Sequence, residues 1–140
     1  MNIRLIRSDD YHKGFYRLLG QLTQAPEMSY QDFLSRLRLM TVHGIQTYVI
    51  EKDDRIVGTA SLMIEPKFIR SHGFTGHIED VVVDSGCRGQ GLGRILIERL
   101  TTEAKTMGCY KVILNCNLNN VPFYQKLGFS ENEVKMNMYL

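Results

Sequence analysis

The stretch VVVDSGCRGQGLG, residues 81–93, decides how this chain is expected to fold. Its apolar beginning, residues 81–83, is typical of a buried strand. Its glycine-rich end leads into residues 91–107, where apolar side chains recur at helical spacing. Glycines let backbone N–H groups approach a ligand, and a helix N-terminus carries about half a positive charge. Residues 88–93 are therefore predicted to bind a phosphate or diphosphate group.

Two common phosphate loops are excluded by the residues around this glycine turn. A Walker A loop fails because Leu92 stands where lysine is required, and a dinucleotide-binding loop fails because Arg94 takes the place of the third glycine. The pattern that remains is Arg-x-x-Gly-x-Gly over residues 88–93. A glycine-rich turn that only caps a helix stays as the alternative.

Hydrophobic periodicity on both sides of this turn predicts a chain that mixes strands and helices. Two strands joined by the charged turn 52–54 form a hairpin, while other strands are separated by helices. The fold class is therefore α+β, or mixed α/β. The predicted strands are 3–6, 47–51, 55–64, 77–83, 111–114 and 134–139, and the predicted helices are 8–26, 29–44, 91–107 and 120–126.

The composition is that of one ordinary globular domain over residues 1–140, with 44% hydrophobic and 23% charged residues. A formal net charge of +2 is too small to predict nucleic-acid binding, and no apolar run is long enough for a membrane span. The odd number of cysteines, three, favours a reduced setting, and no histidine or cysteine spacing matches a metal site. We therefore expect no nucleic-acid partner, no membrane and no metal.

A second motif lies downstream, where Asn120 and Tyr124 form an Asn-x-x-x-Tyr pattern one predicted helix and one predicted strand after the glycine turn. The two motifs together, in this order, resemble the GCN5-related N-acetyltransferases. The resemblance implies a central mixed, mostly antiparallel sheet flanked by helices, with acetyl-CoA as co-substrate. The implied cofactor-binding residues are Val81, Val82, Val83, Arg88, Gly89, Gln90, Gly91, Leu92, Gly93, Asn120 and Tyr124.

The resemblance covers nearly the whole chain through LGQLT (19–23), KFIR (67–70), HIEDVVV (77–83), GCYKVILNC (108–116) and NVPFYQKLGF (120–129). These segments are similar to those of family members that acetylate an amino sugar phosphate, a small-molecule substrate, as homodimers with a shared active site. The implied substrate-binding residues are Thr23, Lys67, Phe68, Ile69, Arg70, Glu79, Asp80, Lys111 and Asn115.

The resemblance also implies that Tyr124 is the general acid, which donates its phenolic proton to the leaving sulfur of coenzyme A. The residues alone favour a core side chain beside Phe123. Glu79 and Asp80 are adjacent in a predicted strand, so they are expected on opposite faces, and either is a catalytic candidate to receive the proton of the amine. A salt bridge at a sheet edge is the alternative for both, as a solvated surface charge is for each basic residue.

Two positions depart from the family pattern. Asn115 stands where relatives often have aspartate, and Tyr139 stands where relatives tend to have a basic residue. Acetylation of another amine and a non-catalytic module that binds coenzyme A therefore remain as alternative functions. The alternating apolar residues of 134–140 are expected to form a strand, which either completes this chain's own sheet or exchanges with a partner subunit.

The cytoplasm is the expected location. One alternative comes from Arg17-Leu18 followed after five residues by Gln24-Ala25, a pattern that resembles a peroxisomal targeting nonapeptide. The same residues also suit an ordinary amphipathic helix.

Overall fold

A five-stranded mixed sheet is the centre of the computed structural model, which describes residues 2–140. The strands lie in the order β1-β2-β3-β4-β5, and neighbours are antiparallel except for β5, which runs parallel to β4. The predicted mixed, mostly antiparallel sheet is thus confirmed. The strands are β1 (Asn2–Leu5), β2 (Ile45–Lys52), β3 (Arg55–Pro66), β4 (Phe74–Val83) and β5 (Cys109–Leu114).

Helices lie on both faces of this sheet. They are α1 (Phe15–Leu19), α2 (Tyr30–Val42), α3 (Ile69–His72), α4 (Leu92–Thr106) and α5 (Val121–Gln125), with 3-10 segments at Ser8–Lys13, Ser85–Cys87 and Leu118–Asn120. Leu96 and Leu100 of α4 pack with Ile78 on one face, while Phe33 of α2 packs with Val82 on the other. Within residues 2–140, no helix combines the length and the apolar character needed to cross a membrane.

The predicted helix over residues 8–26 is divided in the structure. Residues Ser8–Lys13 form a 3-10 segment, and α1 begins only at Phe15. Gly14 between them has a φ of 80°, a left-handed conformation that an α-helix does not contain. The prediction of one continuous helix was wrong because a single glycine outweighs the helical spacing around it.

The predicted strand over residues 134–139 is absent, since residues 129–140 contain neither helix nor strand. Val134, Met136 and Met138 are almost fully exposed. A strand forms only where a neighbouring strand takes its backbone hydrogen bonds, and this segment lies beside none in the single chain. The alternating apolar side chains of this segment therefore pack against no other strand of the single chain.

A buried ion network ties β1, the first 3-10 segment and β2 together. Nη1 and Nη2 of Arg4 donate to the Asp10 carboxylate, at 2.9 and 2.8 Å. The backbone N of Arg7 donates to the same carboxylate at 2.7 Å. Glu51 accepts hydrogen bonds from Lys13 at 2.8 Å and from Arg4. Lys13 first and Arg4 second lower the pKa of Glu51 from 4.5 to about 2.

This network predicts a stability that falls in acid. The pKa of Glu51 is depressed on folding, so its contribution is complete above its ordinary value of 4.5 and is lost as the pH falls towards about 2. We expect Glu51→Gln to flatten this part of the pH profile of the free energy of unfolding, as measured by urea denaturation. The matched change Glu131→Gln, in the exposed segment after α5, should leave the profile unchanged. Superimposable profiles for wild type and Glu51→Gln would contradict the role of the network.

Candidate active site

Strands β4 and β5 separate at the end of β4 that leads into the glycine turn. β4 pairs with β5 only as far as Ile78, whose partner is Leu114, but it stays paired with β3 as far as Val83. Residues 81–83 are therefore extended backbone with no strand neighbour on the β5 side among residues 2–140. Extended backbone without a strand neighbour is suited to pair with the amides of a ligand, as an added strand does. The carbonyl oxygen of Val83 accepts a hydrogen bond from Nε of Arg88 at 3.4 Å.

A β-bulge lies at the point where β4 and β5 separate. Thr59 of β3 faces Val82 and Ser61 faces Glu79, so that two residues of β4, Asp80 and Val81, lie opposite one residue of β3. Asp80 has a φ of 54°. A bulge of this kind adds one residue to the strand and changes which face the later side chains occupy.

The bulge interrupts the regular alternation of faces at the two acidic residues, so the expectation of opposite faces, which assumed a regular strand, does not hold here. Glu79 pairs with Ser61, and paired residues on neighbouring strands share a face. Asp80 and Ser61 both line a cavity of about 160 Å³ between the sheet and helices α1 and α2. The hydroxyl of Ser61 also lies 2.8 Å from that of Thr47 on β2, so this face carries a row of polar groups.

The glycine turn has the open geometry that an anion site requires. Gly89 and Gly91 have φ values of 80° and 77°, and nothing lies within 4 Å of the position that a Cβ would take at either residue. Gly91 is the N-cap of α4, and Leu92 directly after it is buried in the core. The space beside both glycines is thus open, at the start of a helix that is anchored in the core.

The N-terminal turn of α4 packs tightly on α5, which carries the candidate acid. A Cβ on Gly93 would lie 3.2 Å from Cζ of Phe123, so the close approach of the two helices depends on glycine. Phe123 and Tyr124 are adjacent rings whose centroids lie 4.9 Å apart. The glycine turn and Tyr124 therefore belong to one packed unit.

Tyr124 is a core side chain as well as a candidate catalytic group. Its side chain is 8% exposed and belongs to the cluster that α4 forms with the sheet, where it also contacts Phe129. Burial raises the pKa of the Tyr124 phenol above its ordinary value, with a smaller contribution from the Cys116 thiol. The phenol accordingly keeps its proton throughout the neutral range, as a proton donor must.

A cationic cluster forms where the β3–β4 connection meets β5. The Arg70 guanidinium lies over the Tyr110 ring, 5.4 Å from its centroid, and the Lys111 ammonium lies 5.8 Å from the same centroid. A Cβ at Gly73 would lie 2.9 Å from Cδ1 of Tyr110, so a glycine is needed to admit the ring. Tyr110 was not among the residues expected at the substrate site. The only sequence signal for it was its position directly before Lys111.

The backbone around Arg70 is held in a strained conformation. Three of the four residues of α3, Arg70, Ser71 and His72, have φ values of 55°, 55° and 60°, a left-handed region that residues with a side chain rarely adopt, so α3 is a tight turn and not a regular α-helix. Phe68 and Ile69 before them are exposed. Such strain persists where the surroundings or a function maintain it, which is consistent with a loop that positions a cation.

Lys67 is held separately from Arg70. Its ammonium lies 3.3 Å from Oε1 of Glu65, and Nε2 of His77 lies 3.1 Å from the same oxygen. These contacts lower the pKa of Glu65, with His77 as the larger cause and Lys67 as the second. Lys67 is therefore partly neutralised within the chain, whereas Arg70 and Lys111 share an aromatic ring.

The structure does not bring every expected site residue together. Thr23 is exposed just beyond α1, Asn115 is exposed after β5, and Tyr139 is exposed in the segment after α5. No side-chain hydrogen bond or ion pair within residues 2–140 joins any of these three to Glu79 or Asp80. In the same part of the chain, no group of three or more histidine, cysteine, aspartate or glutamate side chains is placed to hold a metal ion.

The arrangement of an open glycine turn, the separated strands β4 and β5 and a buried tyrosine matches a known family. A sequence profile of the acetyltransferase (GNAT) family matches residues 9–129. The chain belongs to this family. Its membership confirms the resemblance inferred from the Arg-x-x-Gly-x-Gly and Asn-x-x-x-Tyr patterns.

Relatives within the acetyltransferase family match the chain over its whole length. The glucosamine 6-phosphate N-acetyltransferase of Arabidopsis thaliana is 43% identical over 141 residues, which cover 98% of this chain and 95% of the relative. The protein of the same name from Trypanosoma brucei brucei is 43% identical over 142 residues, with coverage of 100% and 96%. Both alignments thus extend over nearly the full length of this chain and of each relative.

Solved structures of acetyltransferases lead to the same conclusion. The crystal structure of glucosamine-6-phosphate N-acetyltransferase from Arabidopsis thaliana superposes with a TM-score of 0.96 and covers 99% of this chain and 97% of that chain. An acetyltransferase from Trypanosoma brucei, 43% identical, superposes with a TM-score of 0.94 and covers 99% of each chain. The mixed α/β fold expected from the sequence is therefore the fold of this acetyltransferase family.

Proposed function

We propose that the chain is a glucosamine 6-phosphate N-acetyltransferase over residues 1–140. It transfers acetyl from acetyl-CoA to the amine of D-glucosamine 6-phosphate, giving N-acetylglucosamine 6-phosphate and coenzyme A, for the synthesis of UDP-N-acetylglucosamine. The observation that carries this proposal is the 43% identity, over 98% of the chain, to a protein of that name. The open glycine turn and the cationic cluster formed by Arg70 and Lys111 support it.

Acetyl-CoA binds along the gap between β4 and β5 in this proposal. Its diphosphate accepts hydrogen bonds from the backbone of residues 88–93 and a charge contribution from Arg88. Its pantetheine amides pair with the backbone of residues 81–83 on the side that β5 leaves open. Asn120 and Tyr124 flank its thiol end.

The chemical step is a direct attack of the amine nitrogen on the thioester carbonyl carbon. A C–N bond forms, a backbone N–H of β4 stabilises the charge on the carbonyl oxygen, and the C–S bond then breaks. Tyr124 donates its proton to the departing sulfur. The proton lost by the amine passes to Glu79 or Asp80, directly or through water, and both carboxylates are candidates because both lie at the bulge.

The phosphate of the sugar is bound by Arg70 and Lys111, with Lys67 as a third cation and Thr23 and Asn115 beside the sugar. We predict that Arg70→Ala raises the KM for glucosamine 6-phosphate by about tenfold or more, because a charge-assisted hydrogen bond to phosphate is lost. Steady-state kinetics with glucosamine 6-phosphate and with unphosphorylated glucosamine provide the internal control. The KM for glucosamine should change by less than about twofold in Arg70→Ala, because this sugar has no phosphate to lose its contact. Equal effects on the two sugars, or none on either, would contradict the assignment.

A homodimer with a shared active site completes the proposal. The exposed apolar side chains of residues 134–140 support it, because they alternate as in a strand and β5 lies at an edge of the sheet. The segment then pairs with the partner's sheet and brings Tyr139 towards the partner's sugar site. Light scattering on the full chain tests this, and a monomer at micromolar concentration would contradict it.

The proposed location is the cytoplasm. The competing targeting nonapeptide requires Leu18 to be accessible, but this side chain is fully buried against the sheet, and Arg17 lies 3.3 Å from Asp84. A reporter fused to residues 1–26 that entered an organelle would overturn this location.

A thiol-release assay with acetyl-CoA tests the proposed reaction. We expect rapid release of coenzyme A with glucosamine 6-phosphate, slower release with glucosamine and none above background with an unrelated amine. Faster release with another amine would favour the alternative of a different acceptor. Binding of acetyl-CoA by calorimetry without release for any amine would favour a non-catalytic module.

A further inference from the structure

A polar clamp joins the segment after α1 to the residues that precede the glycine turn. Nε2 of Gln21 donates to Oδ1 of Asp84 at 2.7 Å, and Oε1 of Gln21 accepts from the backbone N of Ser85 at 2.8 Å. Both ends of one carboxamide are therefore bound to consecutive residues of the loop. Gln21 is half-buried, so its bond to Asp84 is partly protected from competition with water, whereas the bond from Ser85 is exposed.

Asp84 is fixed from several directions at once. Its backbone N donates to the carbonyl oxygen of Val57 at 2.8 Å, and its Oδ2 accepts from the backbone N of Gly86 at 3.1 Å. Arg17 adds a more exposed ion pair at 3.3 Å. The pKa of Asp84 is lowered, with the hydrogen bond from Gln21 as the largest cause and the one from Arg17 as a smaller cause.

The clamp connects the two halves of the proposed site. Gln21 lies two residues before Thr23 and is itself held to α1 by its backbone N, which donates to the carbonyl oxygen of Leu18 at 2.9 Å. Asp84 lies four residues before Arg88, at the start of the loop that leads into the glycine turn. Gln21 therefore links the segment that contains Thr23 to the loop that precedes Arg88, alongside the ion pair of Arg17 with Asp84.

We propose that Gln21 is a positioning residue that couples the cofactor site to the acceptor site. Coenzyme A orders the loop before α4, the loop holds the segment 19–23 through Gln21, and the amino sugar phosphate then binds more tightly. By linkage the sugar strengthens coenzyme A binding by the same factor. This inference rests on the proposed function, because it takes the amino sugar phosphate as the second ligand.

Coenzyme A and glucosamine 6-phosphate provide a direct test, because they lack an acetyl group to transfer. Calorimetry on the full chain measures the Kd of the sugar with and without saturating coenzyme A. We expect coenzyme A to tighten sugar binding by roughly fivefold or more in the wild type. Gln21→Met keeps the length of the side chain but removes both hydrogen bonds, and it should reduce the effect to less than about twofold. The same change at exposed Gln31 of α2 should leave the wild-type ratio.

Exchanging the donor and the acceptor of the bond between residues 21 and 84 distinguishes a requirement for this hydrogen bond from a general loss of packing around Gln21. Gln21→Glu places a carboxylate against Asp84, so it should lose the coupling as Gln21→Met does. The double variant Gln21→Glu/Asp84→Asn lets the new carboxylate accept from the new amide, and it should restore at least about half of the wild-type ratio. Restoration by the second change is not expected if Gln21 only fills space.

The possible results distinguish the clamp from the proposed function. A folded Gln21→Met variant that keeps the wild-type ratio, or a wild type that binds both ligands with no coupling, overturns the positioning role alone. A failure of the double variant to recover the coupling also overturns it. A wild type that binds coenzyme A but never glucosamine 6-phosphate contradicts the proposed function, and the coupling fails with it.

Discussion

Tyr124→Phe is expected to lower kcat by about 10²- to 10⁴-fold, the range that a positioned proton donor contributes. The phenol is the group proposed to protonate the departing sulfur, and burial keeps its pKa above the ordinary value. Phenylalanine fills the same space between Phe123 and Phe129, so the packing around α5 is preserved. Stopped-flow or steady-state thiol release measures the loss, and the Kd of coenzyme A should change by less than about twofold.

The matched control is Tyr30→Phe on α2. Tyr30 also packs against another aromatic ring, that of Tyr11, but it lies on the helix that covers the opposite face of the sheet from α4. Its replacement removes a hydroxyl of the same kind and should leave kcat unchanged. An unaltered kcat in Tyr124→Phe would show that Tyr124 is only a core side chain and would contradict its role as the general acid.

Gly91→Ala is expected to weaken coenzyme A binding by about tenfold or more. Gly91 has a φ of 77°, where an alanine is strained by roughly 1–2 kcal/mol, and its Cβ would enter the open space where the diphosphate is proposed to lie. The methyl group therefore both strains the backbone and occupies space that the diphosphate is proposed to fill. Calorimetric titration of coenzyme A measures the effect.

Gly108→Ala controls for backbone strain on the same helix. Gly108 follows the C-terminal end of α4, has a φ of 86°, and also has nothing within 4 Å of a Cβ position. The two variants should lose similar stability in thermal unfolding, but only Gly91→Ala should lose affinity for coenzyme A. Equal affinity in both variants would show that the glycine turn does not bind the cofactor.

Local signals predicted most of the scaffold. The helix after the glycine turn was predicted because its apolar spacing, its glycine start at Gly91 and its end before Gly108 agree with one another. The hairpin of β2 and β3 followed in the same way from β-branched residues on either side of a charged turn. Ser29 was expected to start a helix, and its Oγ accepts from the backbone N of Asp32 at 3.1 Å.

The features that the sequence did not predict depend on contacts between distant residues. The bulge at Asp80 has no glycine at the residue with the positive φ to signal it, so it became visible only in the pairing with β3. The place of Tyr110 beneath Arg70 depends on the β3–β4 connection, which lies 40 residues earlier in the chain. The clamp formed by Gln21 likewise joins residues that are 63 positions apart.

A crystal structure of the protein with coenzyme A and glucosamine 6-phosphate tests the central claim most directly. The diphosphate is predicted to contact the backbone N–H groups of residues 88–93, with the thiol beside the Tyr124 hydroxyl and the sugar phosphate near Arg70. Coenzyme A bound elsewhere, with the turn before α4 free of ligand, would contradict the proposed site and the reaction assigned to it.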